Sequence, residues 1–331
     1  MKVMRHACAA FAAATLLAAS WQDPSKHEVH FVAVEEGVQL EVLDWGGSGR
    51  PVVLLTGSGN TAHVYDDFAL QLSDCCHVYA ITRRGFGHSS HPESGYGDQR
   101  LADDVLQVLD SLQIQTPVLV GHSMAGGELT TLGAQHSDRL SGLVYLDAGA
   151  DPADFPWSDP AYRAAVQKTS SLAPAKPSRT EADRKKSYPA YRAWQMETAG
   201  FAFCEAEVRN MYDFNPDGSI GPYRTPDRVR QAIDAGTRKR DYSKIRVPVL
   251  SIFATPAPPA DRSKDQDPEY RAAAEAEYSI LINFIGRYKR SLLSAVPDAR
   301  VLEWPGAEHY LFITRQPEVL RELRAFVTGL R

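Results

Sequence analysis

Apolar positions in this chain come in short blocks, and each block is followed by a polar or Gly-rich turn and then by apolar residues at helical spacing. His30–Val34 and Val38–Leu43 read as a pair of strands joined by Glu35-Glu36-Gly37. Pro51-Val52-Val53-Leu54-Leu55 is a continuous apolar run of the kind buried on both faces of a sheet. It is followed by Thr56-Gly57-Ser58-Gly59-Asn60 and a helix from about His63 to Leu72. His77–Ile81 predicts the next strand and Asp103–Leu112 a helix. Pro117–Val120 then leads through Gly121-His122-Ser123-Met124-Ala125-Gly126 into a helix over Leu129–Ala134, followed by a strand ending at Leu146. Val247–Phe253 and Arg300–Trp304 are further strands, and helices end near Ala295 and Leu330.

Strand and helix thus alternate, which predicts an α/β fold with a mostly parallel central sheet covered by helices on both faces. The alternation stops between Asp151 and about Asp241, where prolines, aromatic and basic residues mix without a long apolar strand. This stretch reads as a helical cap inserted after the strand that ends near Asp147, with residues 27–150 and 242–331 forming the core. An insertion at the carboxyl end of a strand stands where such sheets bind ligands.

Composition adds bounds. The chain has 331 residues, 44% of them hydrophobic, and a formal net charge of −5. That suffices for one large α/β domain with an insertion, and mild acidity argues against a nucleic acid or an anionic membrane surface as partner. Met1–Ser20 has a basic start, an apolar run over Ala7–Ala19 and small residues at its end, the pattern of a secretory signal. The expectation is export to a periplasm or beyond, with no stable membrane anchor after cleavage. Three cysteines remain after residue 20, Cys75, Cys76 and Cys204, too few for a disulfide framework. One bridge to Cys204 is compatible with an oxidising compartment, and buried free thiols are the plainer reading.

The chemistry is read outward from Ser123. A strand that turns directly into a helix forces the residue between them into a cramped conformation, so Gly121 and Ala125 beside it must be small. The hydroxyl would then stand above the sheet edge at a helix N-terminus. Serine is a poor nucleophile without a base. His309, in the turn Pro305-Gly306-Ala307-Glu308-His309-Tyr310 after the last strand, reaches the same edge. The acid that orients the histidine has two candidate sources. Asp147 directly ends its strand, whereas Asp261 lies in a proline-rich loop well past Phe253; position favours Asp147. The backbone N–H groups of Met124 and Ser58, with Gly59 as an alternative to Ser58, are candidate donors for an oxyanion.

Taken together, Leu54–Gly59, Thr82-Arg83-Arg84-Gly85-Phe86-Gly87-His88-Ser89-Ser90, Gly121–Gly126, Val144–Asp147 and Glu308–Phe312 resemble the α/β-hydrolase superfamily, in its esterase-like branch with a cap. The resemblance implies the α/β-hydrolase fold, with Ser123 as nucleophile, His309 as base and amides near Ser58 and Met124 as the oxyanion hole. Family members place the acid after either of the two strands considered above. Two features depart from the pattern: Ala125 stands where a second Gly is usual, with Gly126 one step later, and Thr56 stands where many relatives carry a histidine.

The expectation is therefore an enzyme, a serine esterase that cleaves a carboxylic ester through an acyl-enzyme and needs no cofactor or metal. A small apolar or aromatic ester is the expected substrate, with Trp157, Tyr191, Trp194 and Phe203 of the insertion as candidate pocket residues. A lactone or thioester suits the same groups. Two rivals come from other classes. One is a ligand-binding protein that keeps the fold without catalysis. The other is an NADP-dependent oxidoreductase, suggested by Gly57-x-Gly59-x-x-Ala62 after a strand, which would leave Ser123 and His309 without a role.

Overall fold

Every residue of Val118–His122 is buried, and the sheet is built outward from this strand. In chain order the strands are β1 (Glu28–Glu35), β2 (Val38–Asp44), β3 (Arg50–Leu55), β4 (Cys76–Ile81), β5 (Val118–His122), β6 (Gly142–Leu146), β7 (Tyr212–Phe214), β8 (Ile220–Tyr223), β9 (Val249–Thr255) and β10 (Arg300–Pro305). The helices are α1 (Asp66–Leu72), α2 (Asp98–Ser111), α3 (Gly126–Gln135), α4 (Pro160–Leu172), α5 (Glu181–Lys185), α6 (Tyr188–Ala199), α7 (Glu205–Met211), α8 (Asp227–Gly236), α9 (Pro268–Ala295), α10 (Leu311–Thr314) and α11 (Gln316–Gly329). The structure, a computed structural model, describes residues 21–151, 154–173, 179–259 and 267–330. The secretory segment expected over residues 1–20 and the alternative acid Asp261 lie outside the described residues.

Eight strands form one sheet in the order β1-β2-β4-β3-β5-β6-β9-β10. The β1–β2 and β2–β4 pairs are antiparallel, and from β4 to β10 all neighbours are parallel. Two apolar layers cover its faces: α1 and α11 lie on one side, and α2, α3 and the end of α9 on the other. This is the mostly parallel α/β sheet that the alternation predicts and the α/β-hydrolase fold that the resemblance implies. The central strands are shielded from water on both faces, which is why they read as unbroken apolar runs.

The insertion between β6 and β9 carries α4 to α8 and the small β7–β8 hairpin. Its helix starts are local in origin. Asp159 caps α4 by accepting from the N–H of Ala161 at 2.8 Å, with Pro160 as the first helical residue. Ser187 and Pro189 do the same for α6, which ends on Gly200 in the left-handed conformation at φ +76°. One wall over the sheet edge comes from elsewhere in the chain. The first half of α9 runs along α4, with Lys168 bonded to Glu269 and Phe155 against Phe284 at 5.2 Å, while Leu292 near its end is buried in the core.

A buried carboxylate of the insertion ties it to the core. Glu207 on α7 is fully buried and accepts from Asn60 Nδ2 at 2.8 Å and from the N–H and hydroxyl of Thr61. Tyr223 on β8 donates to the Gly59 carbonyl at 2.7 Å beside it. Burial pushes the Glu207 carboxyl up to about 7 against donors that pull it down. The folded protein therefore holds this proton more tightly than the unfolded chain. The stability contribution is complete below the ordinary value of 4.5 and drains away as pH rises through about 7. Chemical denaturation across that window should show a loss of about 3 kcal/mol in the wild type. Glu207→Gln should flatten this slope; an unchanged slope would assign it to other groups.

Candidate active site

The carboxyl ends of β5 and β6 leave the sheet side by side. His122 pairs with Leu146, so the next residues, Ser123 and Asp147, emerge at the same level on neighbouring strands. Both adopt the left-handed conformation that non-glycine residues seldom take, with φ +56° and +46° respectively. After Ser123 a short 3-10 turn runs into α3. Gly126 explains the shifted motif: a Cβ there would collide with the Ala148 carbonyl and the Arg240 guanidinium, which is bonded across it to that carbonyl at 2.9 Å. Ala125 is buried with room for its methyl.

Asp147 uses both carboxylate oxygens. Oδ1 accepts from the N–H of Ala254 at 3.0 Å and Oδ2 from His309 Nδ1 at 2.6 Å. Its own N–H donates to the Ile252 carbonyl at 2.8 Å, which fixes the residue against β9. Because the carboxylate can only accept, Nδ1 of His309 carries the hydrogen, and Nε2 is left as the basic atom. Ser123, Asp147 and His309 line one cavity of about 520 Å³. Among the described residues no hydrogen bond joins Ser123 Oγ to His309; such bonds are commonly long before substrate closes the site.

His122 has a larger part than its position in the motif indicates. Nε2 donates to the His309 carbonyl at 3.0 Å, and its ring packs on those of His309, Tyr310 and Phe312. Burial, with the neighbouring His309, pushes this imidazole well below the usual histidine range and keeps it neutral. It positions the His309 loop. Tyr310 extends the same support by donating to Asn60 Oδ1 at 2.9 Å.

The loop after β3 passes close to Ser123. A Cβ on Gly57 would lie 3.2 Å from that of Ser123 and 2.7 Å from His122 Nδ1, so only glycine lets the loop approach. Ser58 follows on the exposed side, and Gly59 turns the chain at φ +86°. Met124 is the first residue after the bend, where a helix N–H has no intrahelical acceptor. The candidate donors Ser58 and Met124 thus lie on two loops that meet at Ser123. Arg83 holds these loops together from beneath. Fully buried, it makes two 2.7 Å bonds to Glu128 on α3 and one of 2.9 Å to the Thr56 carbonyl.

The structure divides the four pocket residues expected from the insertion. Trp157 lines the Ser123 cavity and is 64% exposed at its rim. Tyr191 and Trp194 line a different cavity, bordered by Gly59 and Arg184. Phe203 is buried against Phe201 and Tyr310. The Ser123 cavity also carries Asp151 and Thr255, and its large apolar walls are Phe155, Phe253, Leu281, Phe284 and Ile285. The last three come from α9 and were missed, although their spacing at i, i+3 and i+4 is the signal of one apolar helix face. The three described cysteines are free thiols: Cys75 and Cys76 have their sulfurs 3.2 Å apart, while Cys204 donates to the His63 carbonyl.

The fold has counterparts among known proteins. The profile of the alpha/beta hydrolase family matches residues 52–323. The chain belongs to that family. A non-heme chloroperoxidase of Kitasatospora aureofaciens is 36% identical over 115 residues, which are 34% of this chain and 42% of that protein. The 2-(acetamidomethylene)succinate hydrolase of Mesorhizobium japonicum is 31% identical over 101 residues, 30% of this chain and 36% of the relative. The matched segments thus span less than half the length of these curated relatives. A solved structure of an E-2-(acetamidomethylene)succinate hydrolase shares the fold with a TM-score of 0.65 at 20% identity, covering 92% of this chain and all of the other.

The buried Arg83–Glu128 pair generates a stability prediction. Arg83→Met strands the Glu128 charge and should cost about 3–5 kcal/mol in denaturant unfolding. Adding Glu128→Leu should recover most of that loss; a double variant as unstable as the single one would show that the pair is not the source.

Proposed function

We propose that this protein is a serine hydrolase that cleaves a carboxylic ester through an acyl-enzyme. The observation that carries this reading is the 2.6 Å bond from His309 Nδ1 to Asp147, made on the wall of the cavity that also exposes Ser123 at its strained bend. With Nδ1 held as donor, Nε2 takes the proton of Ser123 Oγ as the oxygen attacks the ester carbonyl. The negative charge that develops on the carbonyl oxygen is received by the N–H groups of Met124 and Ser58. Collapse passes the proton from Nε2 to the leaving alcohol. Water, activated by the same nitrogen, then adds to the acyl carbon, returns the proton to Ser123 and releases the acid.

Substrate class follows from the walls. Phe155, Trp157, Leu281, Phe284 and Ile285 offer hydrocarbon and ring faces, which favour an apolar or aromatic group over a sugar. The Nε2 base and the two amide donors suit a lactone or thioester equally, so the panel should contain all three. Export rests on residues 1–20 and belongs to the same proposal.

Ser123→Ala should abolish turnover of a nitrophenyl ester panel while leaving the unfolding curve unchanged, and mass spectrometry of the wild type should detect an acyl adduct on the peptide containing Ser123. Near-normal turnover in Ser123→Ala would overturn the reading. Asp147→Asn should lower kcat on the order of 10⁴-fold. A comparable loss in Asp261→Asn, with Asp147→Asn active, would move the acid to the loop after β9.

A further inference from the structure

Remote from the Ser123 cavity, the segment preceding β1 folds onto the turn between the Gly57–Gly59 loop and α1. Five titratable side chains meet there: Asp23 and His27 from the leading segment, Glu41 from β2, His63 from the 3-10 turn Ala62–Tyr65, and Asp66 from the start of α1. His27 and His63 are buried, with side chains 3% and 5% exposed.

Around His63 Nδ1 none of the neighbouring carboxylates completes a hydrogen bond. His63 Nδ1 lies 3.3 Å from Asp23 Oδ2 and 3.4 Å from Asp66 Oδ2, and His27 Nε2 lies 3.9 Å from Asp23 Oδ2. Both His63 Nδ1 and Asp66 Oδ2 are buried without a hydrogen-bond partner, and unpartnered buried groups of this kind are costly. Two ligands bound about 2.0–2.2 Å from a tetrahedral zinc ion stand roughly 3.3–3.6 Å apart; His63 Nδ1 and Asp23 Oδ2 have this spacing, and His27 Nε2 stands somewhat wider of Asp23.

We propose that Asp23 Oδ2, His27 Nε2 and His63 Nδ1 bind a divalent cation of the zinc class. The three atoms lie within 4.8 Å of one another. The outer contacts fit the same assignment. His27 turns its other nitrogen to Asp66 Oδ1 at 2.9 Å, and His63 Nε2 faces Glu41 Oε1 at 3.7 Å. His27 is thus backed by a carboxylate, the arrangement that fixes the tautomer and raises the basicity of metal-bound histidine, and His63 has a carboxylate within ion-pair reach. Glu41 is itself held by Thr82 Oγ1 at 2.8 Å, and Asp23 by the N–H of Ser25 at 2.9 Å. Two nitrogens and one carboxylate oxygen match zinc better than calcium or magnesium, which prefer all-oxygen sites. The ion would staple residues 21–27 to the turn that follows the Gly57–Gly59 loop.

A proton on His63 is the competing source of positive charge. Untagged full chain should therefore be stripped with a chelator, dialysed and titrated with zinc sulfate alone. The expected result is uptake of one equivalent, a higher melting temperature and shifted ring resonances of His27 and His63. His27→Gln and Asp23→Asn should each weaken zinc binding at least tenfold, whereas His77→Gln, which removes a histidine paired only with Asp44 and Tyr79, should not. No uptake by the stripped wild type, or binding equal in His27→Gln, Asp23→Asn and wild type, would overturn the proposal. Should both variants fail to fold, the wild-type resonances decide alone: titrating without shift at His27 and His63 would assign the charge to a proton.

Discussion

The Arg83–Glu128 ion pair is the constraint on which the geometry of the site depends. Two ions taken out of water are tolerable only when the partners are close and their remaining hydrogen-bonding groups are satisfied. Here the guanidinium also reaches the Thr56 carbonyl, so the end of β3, the end of β4 and helix α3 meet at one side chain. Ser123 opens the helix that carries Glu128, and Thr56 opens the loop that brings Gly57 against Ser123. A single buried guanidinium therefore bridges the helix that follows the Ser123 bend and the loop opposite it.

Above that base, the sheet supplies position and the loops supply orientation. The pairing of His122 with Leu146 puts Ser123 and Asp147 level with each other, at the expense of two left-handed backbones. The strain is held by what surrounds it: Asp147 is bonded through its N–H and both side-chain oxygens, and neutral His122 braces the His309 carbonyl. Such strain persists only where the neighbourhood over-determines it, and it is enriched at sites of function.

Much of this was legible in the chain. Strands shielded on both faces appear as apolar runs, so the order of elements and the carboxyl edge could be read before any coordinates. Ser123 was visible through the smallness of its neighbours and His309 through its place after the last strand. The pocket walls were less legible, because an aromatic residue announces burial without naming its partner: Tyr191 and Trp194 turned to another cavity, and Phe203 packed against Tyr310. The α9 contribution was hidden for a related reason, since periodicity reveals which residues share a face and not what that face covers. The role of His122 was hidden because nothing in the motif indicates that its ring reaches the backbone of a residue 187 positions away.

Glu207 has a bearing on how a reactant gets in. Asn60, Thr61, Gly59 and Tyr310 join helix α7 and strand β8 to both loops beside Ser123 through buried polar contacts. Lifting the insertion on that flank would drag the loops with it and expose a desolvated carboxylate stripped of its donors. The fixed flank makes the opposite side the doorway. There Phe155, just before α4, meets Phe284 of α9 through ring faces, with Trp157 standing mostly in water at the threshold.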